Sequence, residues 1–341
     1  MKRVVTFGEI MLRLTPPDHA RLIQANTLEV CYGGAEANVA VSLACFGAEA
    51  SYVTKLPEGE MGQAAINALR RFGVDTAQVA RGGSRIGLYY MERGADRRPA
   101  KVMYDRARSA VSEAAPTDFD WHGIFQGADW FHLTGITPAL SDSLADICTE
   151  ACRIAKEHGL TVSLDPNYRA KLWSVEKASE VLSRLLPYVD VLITNENQAA
   201  ELFGVSVPSS EIEGDEVSNE GYRCLAAGLC ERYGIPTVAL AERRTYSAED
   251  NRFTAKLWAN GRLYPARVYR IPHMTDRVGA GDAFAAGLIY ALGTGMEPST
   301  AIDFAAAAGC LKHSVEGDFN LVSVEEVNAL ARGSGSGRVQ R

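Results

Sequence analysis

Several features are missing from this sequence, and each absence removes a class of protein. No stretch of about 18 uninterrupted apolar residues occurs, so no membrane span is expected. The 7 cysteines are odd in number and irregularly spaced, with no Cys-x-x-Cys. That argues against a disulfide framework or a structural zinc site, and for a reducing, cytoplasmic compartment. Positive charge is scarce: 35 Lys and Arg stand against 42 Asp and Glu, a net charge of -7. The molecule as a whole is not typed for nucleic acid or a membrane surface, so any anion must be held by local arginines or backbone amides. The first strand is not followed by Gly-x-Gly-x-x-Gly, and Gly-x-x-x-x-Gly-Lys-Ser/Thr occurs nowhere. A dinucleotide fold or a P-loop is therefore unsupported. The opening "MKRVVTFGEIMLRL" begins with two basic residues, but Gly8, Glu9 and Arg13 break its apolar run and no cleavage site follows. It reads as a first strand, not a signal peptide.

What is present is length and alternation. The 341 residues, 47% hydrophobic and 23% charged, can bury a large core. "RVVTFGEI" is a short apolar run consistent with a buried strand, and "GGAEANVAVSLACFG" a helix opened by Gly33-Gly34 and closed by Gly47. Strand-like "EASYVTKL" precedes helical "MGQAAINALRRFG". The stretch from Arg85 to Ala110 differs: two β-rich runs flank a polar turn at Gly94-Ala95-Asp96, which suggests a hairpin outside the main layer. Alternation resumes near residue 128 with "ADWFHLTG", a Ser- or Asp-capped helix "SDSLADICTEACRIAKEHG", "LTVSLDPN", "SVEKASEVLSRLLPYV", "DVLITNEN", "GYRCLAAGLCERYG" and "IPTVALAE". Further short strands are expected over 248–271, then two small-residue helices, "GAGDAFAAGLIYALGTG" and "PSTAIDFAAAAGCLKHSV". This pattern predicts an α/β fold, a mostly parallel sheet flanked by helices. One domain over 1–330 is expected, with a small β-subdomain from about 10–32 and 85–108 and a Gly/Ser-rich flexible tail over 331–341.

"MTDRVGAGDAFAAG" carries the clearest chemistry. Glycines ahead of a helix let backbone N–H groups face a ligand, and the helix N-terminus favours an anion. Gly279, Ala280 and Gly281 could form such a site. Asp282 would repel the anion unless the carboxylate has a task, such as taking a proton from a hydroxyl that attacks phosphorus. The plain alternative is an Asp near a helix start after a flexible turn, and the local sequence leaves both readings open. "GGAEANVA" is a second Gly-rich helix start, with Asn38 adding an amide; alone it reads as close helix packing.

Together, "GGAEANVAVSLACFG" and "DRVGAGDAFAAG" resemble the two signatures of the ribokinase-like (PfkB) carbohydrate kinases, in order, separation and chain length. The resemblance implies an α/β body that binds ATP at the C-terminal edge of its sheet and a β-lid that closes over the sugar. It makes Asp282 the general base and the Gly279, Ala280 and Gly281 amides the anion hole for the transferred phosphoryl group. Such a turn supplies the positioning and charge stabilisation that phosphoryl transfer needs. Within the family, "FGEIMLRLTPP", "YDRARSA", "FHLTGITPALSD", "DPNYRAKLW" and "GDFNLVSVEEVNAL" look like 2-keto-3-deoxygluconate kinases. A keto-acid sugar carries a carboxylate, which guanidinium forks bind at two points. The resemblance puts Gly34, Asn38, Tyr89, Tyr104, Arg106 and Arg169 around the substrate, with Asp318 near its far hydroxyls. Arg13 and Arg108 read as surface or lid residues.

Asp165 and Asn167 in "DPN" end a strand, where open α/β sheets bind ligands, and are expected to face the nucleotide phosphates or their metal; the same residues are strong turn formers. "TNENQAAELFG" resembles the family's Asn-x-x-Glu element: Asn195 matches, Gln198 replaces the Glu, and Glu196 and Asp165 become the candidate magnesium ligands. Other departures are Pro57 in place of Gly, Arg277 ahead of Gly279, and no Gly in "ALAERRTYSAEDN", the nucleotide-loop stretch. The expected reaction is ATP- and Mg2+-dependent phosphorylation of 2-keto-3-deoxygluconate at its 6-hydroxyl, with a monovalent cation as a further candidate cofactor. The partners are then a sugar acid, ATP and a second copy of the chain, with neither nucleic acid nor membrane. The alternatives are a kinase of another sugar such as fructose, which has no need of the Arg106/Arg169 pair, and a non-catalytic sugar- or nucleotide-binding protein, which has no need of Asp282.

Overall fold

A strand buried on both faces reads as an unbroken apolar run, and the middle of the sheet is made of such runs. In a computed structural model, which describes residues 3–214 and 216–333, Trp130–Thr134 and Val191–Thr194 are buried throughout and Arg3–Phe7 nearly so. Among the described residues the main sheet has ten strands, running Arg262–Pro265, Asn251–Ala259, Thr237–Thr245, Val191–Thr194, Thr161–Asp165, Trp130–Thr134, Arg3–Phe7, Glu49–Leu56, Val79–Arg81, with Tyr269–Ile271 also on Asn251–Ala259. From Thr237–Thr245 to Val79–Arg81 every neighbouring pair is parallel. Alternate residues feed cores on opposite faces: Val4 joins one cluster, Val5 and Phe7 the other. Helices Ala35–Cys45, Ala280–Gly293 and Pro298–Lys312 cover the first face; Asp142–Glu157, Val175–Leu185 and Asn219–Tyr233 cover the second. The two small-residue helices approach closely: a Cβ on Gly287 would lie 2.9 Å from Ala305 Cα. The cap of Asp142–Glu157 is Ser141, whose side chain accepts from the Leu144 amide at 3.2 Å.

A separate four-stranded sheet stands over one end of the body, in the order Glu29–Gly33, Met11–Thr15, Gly87–Glu92, Lys101–Asp105. The last two strands pair antiparallel and the turn closes through an Ala95–Arg98 bridge, at the polar residues where a hairpin is expected.

Two regions differ from expectation. Thr237–Thr245 and Asn251–Ala259 are nine-residue strands paired as far as Thr245–Asn251, so the stretch read as a nucleotide loop is mostly ladder. Val324–Ala331 is a helix with a Ser323/Glu326 capping box, so Ala331 closes an element instead of opening a tail; residues 334–341 lie outside the described residues. All seven cysteines are free thiols. Among the described residues no helix is long and apolar enough to cross a membrane.

Candidate active site

Asp165 ends the Thr161–Asp165 strand and Thr194 the Val191–Thr194 strand, at the sheet edge where parallel folds open to ligands. Between this edge and the small sheet lies a cleft of about 450 Å³. A second lobe of about 300 Å³ shares Asp165, Asn167, Arg243 and Gly281 with it. The first lobe is lined by Gly34, Asn38, Tyr89, Tyr104, Arg106, Arg169, Asp282 and Asp318, together with Gly279, Ala280 and Gly281. Asn195 stands apart from these, in the second lobe with Glu196 and Gln198.

The helix Ala280–Gly293 aims its N-terminus into the join between the lobes. Gly279, its N-cap, has φ 82, and a Cβ there would stand 2.1 Å from Asp318 O. Only glycine satisfies both the left-handed backbone and that contact. Asp282, in the first turn, accepts from Asn38 Nδ2 at 2.7 Å. Burial pushes its carboxyl up from 3.8 to about 6, against the Asn38 hydrogen bond, while Asp318 raises it and Arg169 and Lys312 lower it. It is therefore ionised at pH 7 and still a competent proton acceptor. Gly34 brings Asn38 into place by letting the helix start touch the first crossover: a Cβ on Gly34 would lie 1.9 Å from Glu9 O.

On the lid side, Tyr89 and Tyr104 are paired across the hairpin, ring centroids 6.0 Å apart. Tyr89 is buried and donates to Asp318 Oδ2 at 2.5 Å; Tyr104 is exposed and carries the Arg106 guanidinium over its ring. Arg106 is buried and Arg169 is not. Arg106 Nε donates to Glu9 Oε2 at 2.7 Å, so that cation is already paired. Among the described residues the Arg169 side chain hydrogen-bonds only to the Tyr168 carbonyl, at 3.1 Å. Arg13 lies on the lid strand Met11–Thr15, as one half of its reading has it, but the other half, a surface residue, is corrected. Its side chain is 1% exposed, with Nη2 2.7 Å from Asp276 Oδ2 and Nη1 2.9 Å from Asp318 Oδ1. A lone arginine in "MLRLT" gives no sign of the two carboxylates, more than 260 positions away, that make its burial affordable. Arg108 is exposed. Asp318 thus has both oxygens engaged inside the protein.

In the second lobe, Asp165 Oδ1 accepts from the Asn167 amide at 2.9 Å, an Asx turn with Asn167 at φ 41. Burial, and then the Asp282 charge, push Asp165 up to about 7. Asn195 caps Glu196–Phe203, its Oδ1 accepting from the Gln198 amide at 2.9 Å. Among the described residues Glu196 Oε2 is buried without a hydrogen-bond partner. An orphaned carboxylate oxygen lining a cleft fits a cation bound together with ligand oxygens. Among the described residues no group of three or more His, Cys, Asp or Glu could hold a metal ion alone.

Three features escape a reading of the sequence. Arg243 projects from the long hairpin into both lobes; packing around it and the neighbouring Arg277 hold its pKa down to about 10, still cationic at pH 7. Glu36 is buried, its Oε1 accepting from Thr134 N at 3.0 Å, Thr134 Oγ1 at 2.7 Å and Thr137 Oγ1 at 2.8 Å, and burial raises it to about 7. Glu9 Oε1 is buried at the cleft wall without a hydrogen-bond partner among the described residues. The only signal for either Glu is a carboxylate set inside an apolar stretch. Among the described residues Arg169, Arg243 and Arg277 form no ion pair with a carboxylate, although Arg169 is electrostatically coupled to Asp165 and Asp282, and Arg243 to Asp282.

The chain matches the model of the pfkB family carbohydrate kinases over residues 1–217 and 259–323. A 2-dehydro-3-deoxygalactonokinase of Haloferax volcanii is 35% identical over 334 residues, covering 98% of both chains. A 2-dehydro-3-deoxygluconokinase of Bacillus subtilis is 28% identical, over 94% of this chain and 93% of that one. The crystal structure of 2-dehydro-3-deoxygluconokinase from Thermotoga maritima superposes with a TM-score of 0.93 at 48% identity, covering 98% of this chain and 100% of that one. The paired glycine turns, the parallel sheet and the lobed cleft are the ribokinase-like architecture, and the chain belongs to the pfkB family of carbohydrate kinases.

Proposed function

We propose that the protein transfers the γ-phosphoryl group of ATP to the 6-hydroxyl of a 2-keto-3-deoxy sugar acid of the gluconate type. One observation carries the reading: a carboxylate base on a helix N-terminus shares its cleft with three arginines that, among the described residues, form no ion pair with an acidic side chain. Guanidinium groups free of ion pairs suit a substrate carboxylate as well as a triphosphate, and a neutral sugar calls for none beyond those that hold the triphosphate. The names borne by the similar proteins point the same way.

In this reading the sugar acid lies in the larger lobe beneath Tyr89 and Tyr104, its carboxylate held by Arg169 and its hydroxyls by Asn38 and Glu9. ATP lies in the smaller lobe along Asn195 and Asn167. Asp282, steered by Asn38, takes the proton of the attacking hydroxyl. The Gly279, Ala280 and Gly281 amides, with the helix dipole, receive charge on the phosphoryl oxygens, and Arg243 and Arg277 add fixed positive charge. Glu196 and Asp165 are the residues that would hold Mg2+, which would supply positive charge against the phosphates. The outer lid strands expose Val30 and Met103 on unpaired edges, and a second copy of the chain is the partner proposed for them.

The test is a coupled ADP assay with the gluco and galacto epimers of the keto acid beside fructose. Turnover of the keto acids at a kcat/KM at least about 100-fold above fructose is expected, since a site built for a polar group rejects the analogue lacking it on that scale or beyond. Preference for fructose would refute the proposal.

A further inference from the structure

Lys312 closes the Pro298–Lys312 helix and is wholly buried. Lysine almost never sits so deep unless its charge is paired, and an apolar residue packs such a place at less cost. Nothing in the reaction as drawn touches it. Its surroundings are those of the anion hole. A Cβ on Gly279 would stand 3.3 Å from Lys312 Cε, so the glycine turn rests on the lysine stem. Its Nζ donates to Val315 O at 2.8 Å. The next residue anchors the approach to the turn: the Thr275 and Asp276 amides donate to His313 O at 2.8 and 3.3 Å. Asp276, Asp318 and Asp282 face the ammonium as carboxylates, and Arg13 and the His313 ring face it as the other titratable groups. Burial pushes the ammonium down, while Asp276 and then Asp318 pull it back up.

We infer that Lys312 is a positioning residue for phosphoryl transfer, a fixed monovalent positive charge beneath the Gly279–Gly281 turn that strengthens the anion hole and keeps Asp282 ionised. The inference rests on the kinase reading above. A cation held behind the turn, in a region water does not reach, acts on the transferred group with little screening and no reorganisation. It reaches Asp282 as well, whose other charged or hydrogen-bonding neighbours are Asn38, Asp318, Arg169, Asp165 and Arg243.

Lys312→Met keeps the stem and removes the charge. Its kcat should fall on the order of 10- to 100-fold, somewhat less than loss of a direct oxyanion donor, with KM for both substrates changed by no more than about threefold. The acid limb of its kcat–pH profile should move to higher pH, because Asp282 loses a positive neighbour. In Lys312→Ala, methylammonium or potassium should restore part of the lost kcat, which a packing defect would not allow. A folded Lys312→Met with kcat within about twofold of the parent and an unmoved acid limb would overturn the inference. If that variant does not fold, the unaltered enzyme decides. It should turn over fully when sodium and potassium are replaced by tetramethylammonium, and a strict need for a small monovalent cation would overturn the inference. An unaltered enzyme inactive on every sugar acid would instead refute the kinase reading.

Discussion

Asp282 is asked to be two things: charged enough to accept a proton, and tolerable beside the phosphates it serves. Asn38 tips the balance toward the carboxylate, and burial tips it back to about 6. Asp282→Asn should keep substrate binding and lower kcat by roughly 10²–10⁴, the scale of a general base; equal turnover in the variant would remove Asp282 from the mechanism. With a base near 6, kcat should decline as pH falls through 6. Asn38→Ala removes a hydrogen bond that favours the charged form, so its acid limb should lie at higher pH than the parent's. Titrating kcat across pH 5–8 reads both effects. Asp282 is legible in the sequence because glycines on its N-terminal side leave it at a helix mouth. Arg13 is not. In "MLRLT" the period of two puts Leu12 and Leu14 on one face and Arg13 on the other, which suggests solvent. Here that other face is closed by Asp276 and Asp318, brought from the far end of the chain, and no local pattern announces them.

At the scale of the element, the N-terminal turn of Ala280–Gly293 separates two glycines that look alike in sequence. Gly279 holds φ 82 against Asp318 O, so Gly279→Ala should cost at least about 1–3 kcal/mol of stability along with most of the activity. A Cβ on Gly281 meets nothing within 4 Å, so Gly281→Ala should melt at or slightly above the parent temperature. Its methyl would enter the space where both lobes meet, and KM for ATP should rise. Melting curves and nucleotide titrations of the pair separate backbone demand from ligand approach; equal melting losses would contradict this assignment. Strands and helices of the body were legible because each buried run is local. The hairpin Thr237–Thr245/Asn251–Ala259 was not, since its length comes from cross-strand pairing and "ERRTYSAEDN" is polar enough to read as loop. Arg243 disappeared from view with it.

Across the whole molecule, the small sheet and the body meet through Arg13, which lies on a lid strand and binds Asp276, just before the anion-hole turn, and Asp318, just beneath it. Arg13→Met leaves two carboxylates buried with less to offset them, and should cost about 3–5 kcal/mol in denaturant unfolding. A loss under about 1 kcal/mol would mean that the pair contributes little to holding the sheets together. The raised carboxylates have a further consequence when Glu36, Asp165 and Asp282 are taken together at about 7, 7 and 6. Near pH 6.5 these groups are part-protonated, and a sugar acid brings one more negative charge among them. Their affinity for protons must rise, so binding without magnesium should draw protons from the buffer. Calorimetry in buffers of different ionisation enthalpy should then give binding heats that differ with a slope signifying net uptake, shrinking toward zero by pH 8.5. The cleft would thus act as a proton reservoir that fills as its anionic ligand arrives.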